Sequence, residues 1–131
     1  MRKIIVVVTI LILSSCKSMI DSDVVVKGNI NETIDNWHKA AATANYEAYF
    51  DLMTDDAIFI GTDATENWSK KAFQEYAKPH FNKGKAWSFT TLERHVFTDK
   101  SGKIAWFDEL LDTQMEICRG SGVLVKVNKQ W

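Results

Sequence analysis

The stretch Trp87–Val127, WSFTTLERHVFTDKSGKIAWFDELLDTQMEICRGSGVLVKV, decides the fold. Its first part alternates along an extended chain. Trp87, Phe89, Thr91, Glu93, His95 and Phe97 share one side, while Ser88, Thr90, Leu92, Arg94, Val96 and Thr98 share the other. Asp99-Lys100-Ser101-Gly102 is a turn sequence, and Ile104–Leu111 reads as a second strand. After a loop, Cys118–Val127, rich in Val and Gly, reads as a third. Asn128-Lys129 turns the chain again, and Gln130-Trp131 reads as the opening of a further strand. Strands joined by such short connections pair antiparallel, as a meander.

The part before the meander has helical spacing. Asn29 with Glu32 three residues on has the form of a capping box. Ile30, Ile34, Trp37, Ala41 and Ala44 then recur at intervals of four and three, one stripe of an amphipathic helix. Tyr46–Leu52 reads as a second short helix and Ala57–Ile60 as a short strand before Gly61. A polar loop, Thr62–Asn67, follows. Ser69 is placed to cap a third helix with Phe73, Tyr76 and Ala77 inward, and Pro79 is expected to stop it. Helices followed by an antiparallel meander define an α+β layout, with the helices covering one face of the sheet.

Outside this domain, the first sixteen residues read as a targeting segment. Arg2 and Lys3 precede an apolar run, Ile4–Leu13, which is too short to span a bilayer. Leu13-Ser14-Ser15-Cys16 closes it and resembles a bacterial lipobox, in which the cysteine thiol takes the lipid (palmitate among its acyl chains). The division expected is 1–15 signal peptide, 16–28 tether and 29–131 domain. Of 131 residues, removal of the first 15 leaves 116, enough for one core but not two. The formal charge then moves from −1 to −3, because Arg2 and Lys3 are lost. No basic stripe remains, which argues against a nucleic-acid partner. With Cys16 lipidated, Cys118 has no intramolecular partner, so packing of five Trp, seven Phe and three Tyr must hold the domain.

Phe59-Ile60-Gly61-Thr62-Asp63, Ala105-Trp106-Phe107-Asp108-Glu109 and Arg119-Gly120-Ser121-Gly122-Val123-Leu124, in that order, resemble the SnoaL-like branch of the nuclear transport factor 2-like superfamily. The resemblance covers residues 29–131. It implies a curved antiparallel sheet wrapped around three N-terminal helices, forming a cone with a pocket at its wide end. It also implies one further strand after Trp131, so the sequence reads as truncated there. Members of the superfamily include isomerases, cyclases, dehydratases and hydrolases that need no cofactor, as well as proteins that only bind or assemble. Its enzymes typically place an Asp, Glu or His in the apolar cone, where desolvation raises a carboxyl pKa.

The residues offer several candidates for such a site. Glu93 and His95 lie two apart, on one strand face, and form one acid–base candidate. The plainer reading puts them on an outer or dimer face, because alternation groups residues without saying which side is buried. Asp108 and Glu109 point to opposite faces, so one of them faces the helices. Arg119 on the next strand is the expected partner of the buried one, either as a structural ion pair or as a hold on a ligand carboxylate. Trp37, Phe59, Trp106 and Arg119 are expected to line the cone, with Trp68 near its mouth beside Asp63 and Glu66. An Asx turn is the simpler role for Asp63. His38, one residue past Trp37, lies about 100° off the apolar stripe, at the border of core and solvent.

His38, His80 and His95 lack metal-ligand spacing, and Cys118 is isolated, so neither metal nor cofactor is expected. No Gly-x-Ser-x-Gly elbow or phosphate-cradling glycine loop is present. The function expected first is a lipid-anchored envelope protein, on the outer membrane and facing the periplasm in a Gram-negative host, that binds a small apolar or carboxylated molecule. A cofactor-free isomerase, cyclase or hydrolase with a buried carboxylate as general base is the second, and a dimeric scaffold without ligand the third. A homodimer is expected through Trp87–Thr98, since both faces of that strand carry apolar residues.

Overall fold

The computed structural model describes residues 2–131, with side chains from Ser22 onward. The lipobox and Cys16 therefore lie outside the described side chains. Among the described residues no helix is long and apolar enough to cross a membrane. Three helices come with two antiparallel sheets: α1 (Arg2–Ala42), α2 (Tyr46–Asp51), β1 (Ile58–Ile60), β2 (Asn67–Ser69), α3 (Lys70–Phe81), β3 (Thr90–Thr98), β4 (Ile104–Thr113) and β5 (Glu116–Val125). β1 pairs with β2, and β3-β4-β5 form the meander. The layout is α+β with an unclosed antiparallel sheet, as the sequence reading anticipates.

Asn29 does not begin a helix, because α1 runs through it without a break. Val26 extends the apolar stripe one turn before Ile30 and packs on the same cluster, so burial continues where the capping-box reading expected an end. An Asp23–Lys27 pair at 3.0 Å spans that turn. The helix ends in a Schellman arrangement: Asn45 N–H donates to Ala40 O (2.8 Å) and Ala44 N–H to Ala41 O (3.1 Å). Ala44 occupies the left-handed position at φ 54°, where glycine is usual. The Asn45 side chain then accepts from Ala48 N–H and caps α2.

Ser69 caps α3 as expected, accepting from Ala72 N–H. Pro79 does not stop the helix. It lies inside the last turn, where it removes a single helical donor, while burial of Phe73, Ala77 and Phe81 on one face carries the turn through. Tyr76 is 43% exposed rather than inward, and its ring stacks on Trp68. The expected loop Thr62–Asn67 ends in β2, which pairs with β1. The Asx turn within it is present, with Asp63 Oδ1 accepting from Thr65 N–H at 2.8 Å.

Two clusters form the core. One joins α1, α2 and α3 through Ala41, Tyr49, Phe50, Phe73, Ala77 and Phe81. The other packs Ile30 and Ile34 of α1 on Ala105 and Phe107 of β4. A Cβ at Gly122 would meet the Phe107 ring at 2.7 Å, so that glycine makes room for the ring.

A β-bulge corrects the strand reading. Thr91 pairs with Leu111, yet Glu93 pairs with Leu110, so Leu92 is an extra residue and the alternation reverses there. Thr91, Arg94 and Val96 thus face the helices, while Glu93, His95 and Phe97 face outward. Trp87–Phe89 lie outside the strand, and the third strand begins at Glu116 and ends at Val125.

Candidate functional site

The reversal at Leu92 brings the side chains of Arg94, Glu109 and His38 together beneath α1. Arg94 of β3 and Glu109 of β4 are register partners on the inner face. Glu109 is 2% exposed, among the most buried side chains in the domain. Arg94 grips it twice: Nε donates to Oε2 at 2.9 Å and Nη2 approaches the same oxygen at 2.8 Å. The opposite oxygen meets His38 Nε2 at 2.8 Å. His38 comes from the flank of the α1 stripe, one residue past Trp37, which is why it reaches the sheet without leaving the helix surface.

Arg94 is fully engaged. Nη1 donates to Asp35 Oδ1 at 2.8 Å and to the Asn31 carbonyl and side-chain oxygens at 3.3 Å, and Nη2 donates to Thr91 Oγ1 at 3.1 Å. Burial pushes the Glu109 carboxyl up, but the bonds and charges of His38 and Arg94 together outweigh it and hold the group below its ordinary 4.5. Glu109 is therefore an ionised, clamped carboxylate, and a general base of raised pKa is not what stands here. A carboxylate only accepts, so the proton in the His38–Glu109 bond lies on Nε2. Nδ1 has no hydrogen-bond partner among the described residues. The imidazole lies edge-on to Phe89 (centroids 6.0 Å apart, 76°) and 5.5 Å from the Trp37 ring. An oriented imidazole with one free nitrogen at an aromatic wall can accept a hydrogen bond or a proton.

The other expected site residues separate into two places. Trp37 stacks on Tyr49 next to His38, whereas Phe59 stacks on Phe73 and Trp68 on Tyr76, in the cluster around α3. Trp106 and Arg119 lie on the outer face, 45% and 64% exposed. Arg119 does pair with a carboxylate, but with the outward Asp108 at 2.9 Å rather than with buried Glu109. His95 bridges Asp108 (3.3 Å) and Glu93 (3.1 Å), so these four form an exposed chain of polar contacts. Trp106 stacks on Phe97 at 5.9 Å on the same side. The reason is the phase of the alternation: Ala105, Phe107, Glu109 and Leu111 face the helices, and Trp106 and Asp108 consequently do not.

Arg94 was missed, because without the bulge it groups with Leu92 and no acidic partner is in view. The Asp35–His38 spacing of three, which places both on one helix face, was the available signal. Among the described residues no group of His, Cys, Asp and Glu side chains is arranged to hold a metal. An open groove of about 690 Å³ lies elsewhere, lined by Glu32, Thr33 and Asn36 of α1 and by Trp131.

A family model described as SnoaL-like domain matches residues 30–131. The chain belongs to this family. An NTF2-like protein of unknown function from Pseudomonas putida is similar in structure to this SnoaL-like domain, with a TM-score of 0.65 at 15% identity over 79% of this chain and 78% of that one. A Mycobacterium tuberculosis protein of unknown function gives 0.61 at 21% identity, over 86% and 69%. A Nostoc punctiforme protein of unknown function with a cystatin-like fold gives 0.60 at 12%, over 80% and 83%. No match was found among curated proteins. At these identities the likeness concerns the fold, and function has to be argued from the site.

Proposed function

We propose that this SnoaL-like domain binds a small, largely apolar molecule against Trp37 and Phe89, with one polar group of that molecule bonded to His38 Nδ1. The observation that carries this reading is the His38–Glu109 pair: a part-buried imidazole fixed through Nε2, with Nδ1 unbonded among the described residues. Arg94 is saturated by Glu109 and Asp35, and Arg119 is on the outer face, so a ligand carboxylate has no free guanidinium inside. An uncharged ligand therefore fits better than a carboxylated one. We further propose that Cys16 carries lipid and tethers the domain to the envelope. The outer sheet face, with exposed Phe97, Trp106, Ile117 and Val123 around the Glu93–His95–Asp108–Arg119 chain, is the surface proposed to pair two copies.

The test of binding uses a panel of cyclic ketones and phenols titrated against tryptophan fluorescence. His38→Ala is expected to weaken the best of them by about tenfold or more, the worth of one hydrogen bond in a dry site, and Arg119→Ala to leave it unchanged. Equal affinity in wild type and His38→Ala would remove the proposal.

A cofactor-free isomerase, cyclase or hydrolase is the second reading, favoured by one feature. Glu109 orients His38 and Arg94 keeps Glu109 ionised, the arrangement that supports an imidazole as general base. In that case His38 moves the proton and Glu109 is a positioning residue.

A further inference from the structure

The register of the meander sorts its outer face into rows that run across the strands. Phe97, Trp106 and Val123 make one row, His95, Asp108 and Ser121 the next, and Glu93, Leu110 and Arg119 the one after. The third row carries an acid on β3, an apolar side chain on β4 and a base on β5. The side chains of Glu93 and Arg119 are 56% and 64% exposed, at opposite edges of the face. Arg119 engages Asp108 through Nη1 alone, and Glu93 engages His95 through Oε1 alone. Among the described residues, each therefore keeps charged atoms without a partner.

We infer that the outer face takes a second copy of this chain, turned about a two-fold axis parallel to β4, so that Glu93 of each copy pairs with Arg119 of the other. This rests on the proposed pairing of two copies, and adds its orientation and the side chains that select it. Two sheets related by a two-fold axis can meet face to face in two ways. An axis along the strands lays β3 of one copy over β5 of the other. The third row then faces its own reverse: Glu93 meets the partner's Arg119 at one edge, Arg119 meets the partner's Glu93 at the other, and Leu110 packs on its equivalent between them. An axis across the strands, through the same row, sets Glu93 against Glu93 and Arg119 against Arg119, and opposed like charges are unfavourable. Packed sheets lie about 10 Å apart, a gap that one Arg and one Glu side chain span together. The favoured orientation also places Trp106 on its equivalent and Phe97 on the partner's Val123, so apolar surface is buried on apolar surface. Asp108 meets its equivalent near the axis, where each is held within its own chain by Arg119 at 2.9 Å and His95 at 3.3 Å.

Charge reversal tests the exchange. The full chain in density-matched detergent is followed by sedimentation equilibrium at neutral pH and low salt, as wild type, Glu93→Arg, Arg119→Glu and the two variants mixed. Glu93→Arg sets base against base at both edges, and Arg119→Glu sets acid against acid. Each alone is expected to weaken self-association by about tenfold or more. Mixed, they regain an acid–base pair at each edge, and a heterodimer is expected at near wild-type strength. Glu93→Arg/Arg119→Glu, with both pairs inverted, is expected to dimerise as wild type does, which separates lost pairing from lost folding. Single variants that associate as tightly as wild type overturn the orientation while leaving pairing on this face intact, and a mixture tighter than wild type then indicates the axis across the strands. Single variants that weaken and do not recover on mixing also overturn it, because the two charges then act within one copy. A wild-type monomer at tens of micromolar overturns the orientation and the pairing together.

Discussion

Arg94→Met tests whether the inner network is held together as described. The substitution keeps an unbranched apolar stem but removes every donor to Glu109 Oε2, Asp35 and Asn31. Glu109, 2% exposed, is left with His38 as its one side-chain hydrogen-bond partner among the described residues. Breaking a buried pair from one side costs roughly 3–5 kcal/mol, a large part of the 5–15 kcal/mol of a typical domain. For a domain of this size that is a fall in melting temperature on the order of 12–25 °C.

The pH dependence should flatten. In wild type the Glu109 carboxyl is lowered from 4.5, so its contribution is complete above that value and is lost as pH falls through and below it. In Arg94→Met the lowering by Arg94 is lost while that by His38 remains, so the carboxyl moves up from its wild-type position. The loss of stability as pH falls through and below 4.5 should therefore be shallower in the variant than in wild type. Thermal unfolding by circular dichroism between pH 3 and 8 reads both effects. Arg94→Met/Glu109→Leu, which removes both charges, should regain most of the loss. A loss under about 1 kcal/mol, or parallel pH profiles for variant and wild type, would refute the network as a buried, interdependent unit.

Three further outcomes follow from the structure. Ala44→Gly relieves the left-handed φ at the end of α1 and should stabilise the domain by about 0.5–1 kcal/mol in denaturant melts, since only glycine adopts that conformation without strain. Trp106→Glu places a charge in the centre of the outer face and should convert a dimer to a monomer in light scattering at tens of micromolar; a wild-type monomer there contradicts the proposed pairing. Cys16→Ser should abolish lipid labelling and release the protein from the membrane fraction, and labelling that persists would remove the anchor.

The meander was readable because β-alternation and turn residues such as Asp99 and Gly102 leave a local signature. Asp99 accepts from Ser101, Lys103 and Ile104 N–H groups within a few residues of itself. Which face of β4 is buried was not local. Trp106 and Phe107 alternate equally well either way, and packing of Ile30 and Ile34 on Ala105 and Phe107 decided it. The bulge at Leu92 was invisible for a different reason: it inserts a residue without altering composition, yet puts Arg94 on the same face as Thr91, which strict alternation separates. Glu109 could be named as a candidate from sequence, but its pKa direction depended on Arg94 and His38, 15 and 71 residues away. Pro79 misled because its penalty falls on one hydrogen bond, and buried Phe81 outweighs it.

The central claim is that His38 is held by Glu109 through Nε2 and offers Nδ1 to a ligand. Long-range ¹⁵N–¹H NMR of the His38 ring, with and without 1-tetralone, measures this directly. The account predicts a proton on Nε2 in the free protein, an unprotonated or solvent-exchanging Nδ1, and movement of the Nδ1 resonance on addition of the ketone. A proton on Nδ1 facing an unprotonated Nε2, or an Nδ1 resonance unmoved at saturation, would contradict it.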